Sequence, residues 1–227
     1  IANAKTAGLD QYNRAIYQRA LAPIGGDASQ FPVGREGVRM VRDALGQAYD
    51  DVLGRVTPQV DRQFVQDLTR INNQSMLTRP MREQFDQVLE NQIVGKLTAR
   101  PTGETVKEIE SELSRLARGY RKDPSVDTRN LGDAIDRVRI SLRQMLIRSN
   151  PNEAAELRAV DTGYANYARL RDAAGRVGSR EGVVTPAQLS AGVRAQGGGV
   201  ANGNFASGQA FMQDLSDAGV NVLGSKY

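Results

Sequence analysis

Apolar residues recur every three or four positions in six successive stretches, the spacing that gathers them on one face of a helix. Over 36–56 the stripe is Val38, Val41, Leu45, Tyr49, Val52 and Val56; over 58–77 it is Val60, Phe64, Leu68 and Ile71. Met81, Phe85, Val88 or Leu89, Ile93 and Leu97 mark 80–97, and Val106, Ile109, Leu113, Leu116 and Tyr120 mark 103–122. Leu131, Ile135, Val138, Leu142 and Met145 follow over 128–149, then Leu157, Val160, Tyr164 and Tyr167 over 151–174. No stretch alternates apolar and polar residues far enough to predict a strand. Prolines fall between the stripes. Thr57-Pro58, Asn150-Pro151 and Thr185-Pro186 each set a capping residue before a proline suited to the first helical position. Asn150 with Glu153, and Thr185 with Gln188, also predict capping boxes. Short connections between helices that bury one stripe each predict antiparallel neighbours. The expected fold is all-α, an elongated antiparallel helical bundle over residues 36–174.

Both ends depart from that pattern. Residues 1–22 read as one helix (Leu9, Tyr12, Ile16, Ala20), followed by "APIGGDASQFPVG", so 1–35 is expected to form an N-terminal arm. Eleven of the 23 glycines lie in 175–227, and 182–227 holds four charges: Arg194, Asp214, Asp217 and Lys226. The stretch "VVTPAQLSAGVRAQGGG" has a well-defined helix start, yet its glycines leave a helix too short to persist alone. A last helix over about 204–223 carries Phe211, Leu215, Ala218 and Val222, flanked by Met212 and Leu223. Residues 175–227 therefore read as a glycine-rich appendage tethering two docking helices. Phe211, Met212, Leu215, Val222 and Leu223 are the expected contacts with this bundle, another copy or a different protein.

Composition narrows the chemistry. Apolar residues make up 40% and aromatics 5%, with no tryptophan, a mixture that suits packed helices. The chain has neither cysteine nor histidine, which removes zinc sites of the Cys/His kind, thiol nucleophiles and histidine general bases. A net charge of +4, carried by 25 arginines and 5 lysines against 26 acidic residues, permits contact with an acidic partner without demanding one. No apolar run approaches the roughly 18 residues of a membrane span. The start at Ile1 reads as that of a fragment or a processed product.

Candidate reactive groups are few. Glu110-Ser111 and the later "FMQD" echo lytic transglycosylases, but they lie about a hundred residues apart. Glu110, between Glu108 and Glu112, is expected on a solvated acidic face, where a carboxyl keeps its ordinary pKa and is no general acid. Asp50, Asp51, Asp133 and Asp136 raise the possibility of a metal. The pairs Asp133–Arg137 and Glu108–Arg115 read instead as helix-surface charge balance. "GGDASQ" and "QGGGVANG" lack the Lys-Ser/Thr ending of a phosphate loop. No catalytic residue, metal or cofactor is expected. Arg115, Arg118, Lys122, Arg139 and Arg143 recur at helical spacing on two helices expected to lie side by side. They are the candidate contacts to a nucleic-acid backbone, although the same spacing fits an ordinary soluble face.

The run "FDQVLENQIVGKLTARPTGETVKEIESELSRLARGYRKDPSVDTRNLGDAI" resembles a block in proteins of podovirus-type phages and prophages. So do "GVVTPAQLSAGVRAQ" and "FASGQAFMQDLSDAGVNVLGSKY", and the likeness spans roughly 10–227. The family is that of internal virion proteins, or DNA-ejection proteins, which leave the capsid with the genome. The resemblance implies a virion protein stored beside the portal, expelled into the host envelope, and assembled there with other copies or tail components into a conduit. It implies no catalytic residue, and in related sequences the counterpart of Lys226-Tyr227 is followed by further residues. Two other readings stay open: a helical adaptor gripping one protein through 204–223, and, more remotely, an enzyme of peptidoglycan or nucleic acid.

Overall fold

Each striped segment folds as a helix in the computed structural model, which describes residues 2–98, 100–176, 178, 180–196 and 204–224. The helices are α1 (Ala2–Leu21), α2 (Arg35–Leu53), α3 (Arg62–Gln74), α4 (Arg79–Val88), α5 (Gly103–Arg121) and α6 (Val126–Ser149). After them come α7 (Ala154–Ala174), α8 (Pro186–Ala195) and α9 (Gln213–Leu223). Among the described residues there is no strand, and the chain is all-α. The stripes predict burial well: Val41, Leu45, Tyr49, Val52 and Val56 are buried, as are Leu131, Ile135, Val138, Leu142 and Met145.

Helix starts follow sequence chemistry unevenly. Thr185 accepts the Gln188 N–H and the Gln188 side chain accepts the Thr185 N–H, the reciprocal box expected there. Thr57 does not start α3; residues 57–61 have no regular secondary structure, and Asp61 caps by accepting from Phe64 N–H at 2.7 Å. Asn150 does not cap α7 either. Its side chain accepts the Thr57 N–H at 2.8 Å and donates to the Thr57 carbonyl at 3.2 Å, tying the segment before α3 to the end of α6. The continuous helix expected over 80–97 widens into a π-helix at Leu89–Val94, where Gly95 N–H reaches Glu90. Thr102 and Thr105 form a capping box that the Glu/Gln pattern does not reveal.

The chain divides into two compact units, one formed by 1–49 with 158–227 and the other by 50–157, with both boundaries inside helices, α2 and α7. This partition differs from the expected arm, bundle and appendage. In the unit 50–157, α5 lies along α6, and α3 and α4 pack on α6. Phe64, Phe85, Ile109, Leu113, Leu131 and Leu142 fill its interior. Gly103 meets the Leu53 carbonyl so closely that a Cβ there would collide with it.

In the other unit, the supposed arm and appendage share one core. Tyr12, Ile16, Tyr17, Ala20 and Leu21 of α1 pack with Leu45, Leu170, Leu189, Val193 and Met212. Buried Asn13 fixes the chain before α8, donating to the Val184 carbonyl at 2.9 Å and accepting its N–H at 2.8 Å. Ends so remote in sequence give no local signal that they belong together.

Candidate functional site

The arginines of α5 and α6 are largely consumed within their own unit. Arg115 pairs with Glu112, and Arg139 with Asp136, each across one helical turn. Arg121 holds both Asp133 and Asp136, at 2.7 and 3.1 Å. Burial pushes the Asp136 carboxyl up, but Arg139 and Arg121 outweigh it and hold the group below the ordinary carboxylate range. Arg143 turns inward to Glu110 at 2.9 Å, with side chains 13% and 10% exposed. That corrects two expectations: Glu110 is not on a solvated face, and Arg143 is not offered to a nucleic acid. Helix phase explains both, because Glu110 follows the buried Ile109 on the side of α5 that meets α6. Of the five basic candidates, only Arg118 and Lys122 are exposed and outside any salt bridge between the described residues. The unit 50–157 as a whole carries 17 basic and 17 acidic residues, so the chain's +4 belongs to the other unit.

Three of the four carboxylates considered for a metal are drawn into ion pairs. Asp50 holds Lys107 at 2.5 Å, whereas Asp133 and Asp136 share Arg121. Among the described residues no three such ligands converge. Nor, among them, is any helix long and apolar enough to cross a membrane.

Sequence reasoning missed the face made by α3 and α6. Val65 on α3 and Ile140 on α6 are 53% and 48% exposed. Two shallow depressions of about 410 and 450 Å³ flank α3 and share Arg70 and Gln74. Half of their lining is amide and hydroxyl side chains, among them Gln66, Thr69, Asn73, Ser141 and Gln144, and Arg137 joins Arg70 as a second cation. Asp67 is bound to Arg70 and Ser141, at 3.2 and 3.1 Å. The surface is shallow and partly apolar, with Asp67 set against Arg70 and Arg137, which suits another protein surface better than a phosphate chain. Val65 and Ile140 stand one step off the buried stripes, and only that offset could have marked them.

The C-terminal contact residues are divided by the fold. The helix expected over 204–223 is broken: a helical turn at 204–206 leads through turns to Met212, whose φ of 64° is left-handed, and α9 starts after it. Met212 is buried, and Leu215 and Leu223 pack against the core of their own unit. Phe211 and Val222 remain 51% and 82% exposed. Arg169 lies 5.2 Å from the Phe211 ring centre and Arg194 4.4 Å from that of Phe205. Burial holds the Arg169 guanidinium below its ordinary pKa. Arg19 grips Asp214 with two hydrogen bonds of 3.0 and 2.7 Å, keeping that carboxyl below the usual range. Hence Leu215 and the flanking Met212 and Leu223 are covered within their own unit, whereas Phe211, Ala218 and Val222 are exposed.

Comparison of the chain with protein-family models, with curated proteins and with solved structures gives no match.

Proposed function

We propose that this chain is a non-catalytic assembly protein of the phage internal-virion kind its sequence resembles. It leaves the particle with the genome and acts in the host envelope through contacts with further copies and with tail or portal components. The observation that carries the assembly part of this reading is the α3–α6 face, with Val65 and Ile140 half exposed beside two amide-lined hollows. A shallow surface of this make-up has the mixed character of a protein interface. The phage setting rests on the sequence resemblance. Contact with the DNA backbone, if used, falls to Arg118 and Lys122.

Sedimentation or light scattering over a concentration series tests the assembly part. The protein should gain mass with concentration, and Val65→Asp with Ile140→Asp should move that gain at least tenfold higher while helix content stays unchanged. A chain of constant monomer mass, alone and with tail components, defeats the reading.

A further inference from the structure

We propose that residues 204–223 exchange between copies, so that the segment of one chain docks on α1 and α8 of a second. This goes beyond the α3–α6 face and does not depend on it. The docked segment is held, but at a cost. Met212 keeps a left-handed backbone (φ 64°) while its side chain is buried, a conformation that non-glycine residues adopt only under constraint. Below it, the hydroxyls of Tyr12 and Ser216 are buried with no hydrogen-bond partner among the described residues, each forfeiting its hydration. The polar tie, Arg19 to Asp214, lies on the surface, where such pairs contribute little.

Once released, α9 has 11 residues, too few to persist as a helix in water. Its stable destinations are therefore sites shaped for it. The vacated site has Tyr12 fitted to Gly219, Leu223 against Gly8, and Arg19 set for Asp214. The same site exists on every copy, and exchange reproduces each contact, so it costs little beyond association. The joining sequence, GGGVANG, spans at most roughly 25 Å when fully extended.

The test uses Arg19→Cys with Asp214→Cys, at exposed positions of a chain that has no other cysteine. Val65→Asp and Ile140→Asp are added to remove association through the α3–α6 face. One sample is bridged in dilute solution with a short bismaleimide, locking the segment onto its own chain. The other is capped at both thiols with N-ethylmaleimide. After concentration, light scattering should report dimers in the capped sample and monomers in the locked one. Mixing a mass-tagged Arg19→Cys chain with an Asp214→Cys chain before bridging should also yield a 19–214 cross-link between copies. Exchange is overturned if the locked sample dimerises as the capped one does, or if the capped sample stays monomeric and the mixed chains give no 19–214 cross-link. Neither result touches the α3–α6 reading, which depends on the mass of the chain carrying Val65 and Ile140.

Discussion

Single residues in this chain are decided by what a buried polar atom meets. Glu110 and Arg143 are paired in the interior of the unit 50–157, so removing either leaves the other's charge short of its main compensation. Arg143→Ala should cost about 3–5 kcal/mol in urea unfolding, whereas Glu110→Leu with Arg143→Leu together should be close to neutral. Opposite signs are expected for two small changes on α9. Ser216→Ala removes a buried hydroxyl without a partner and should raise stability by about 1 kcal/mol. Gly219→Ala drives a methyl group into the Tyr12 ring and should undock the helix, read as faster amide exchange over 213–223.

At the scale of elements, Asp61 both caps α3 and pairs with Arg148 of α6, at 2.6 and 3.0 Å. The two Arg148 bonds hold its carboxyl below the ordinary range, against a smaller upward push from burial, with the Phe64 N–H adding to the lowering. A carboxyl whose pKa is lower folded than unfolded contributes stability that is complete above its unfolded value, about pH 4, and lost as pH falls through the folded one. Urea midpoints should therefore drop on acidification, and Asp61→Asn, which keeps a capping oxygen, should flatten that part of the drop. Asp61→Ala should also lose about 1 kcal/mol of cap at neutral pH. The helices themselves were legible because their stripes, such as Leu131 to Met145, have the period of the structure that buries them. Where α3 starts was not, because Thr57-Pro58 and Asp61 both carry capping chemistry. The tertiary bonds between Asn150 and Thr57 hold the chain out of the helix between them. The α3–α6 face escaped for a related reason: exposure of Val65 depends on which side of α3 meets α6, and the stripe of α3 is short.

For the molecule as a whole, the distribution of charge matters more than its total. With the unit 50–157 neutral overall, the proposed contact of α5 and α6 with DNA rests on Arg118 and Lys122. Arg118→Ala and Lys122→Ala should each lower the slope of log affinity against log salt by about 1, measured by fluorescence anisotropy. Arg139→Ala, already committed to Asp136, should leave that slope unchanged. The division of the chain also bears on its synthesis. Residues 1–49 leave the ribosome before 158–227 but belong with them, so Ile16, Tyr17 and Leu45 must wait for Leu170, Leu189 and Met212 before they are covered. The continuous stretch 50–157 meets no such delay and can close as soon as it emerges. A nascent chain halted once residue 157 has cleared the ribosome would thus present a closed 50–157 and an uncovered 1–49, which is when a chaperone would find most to hold.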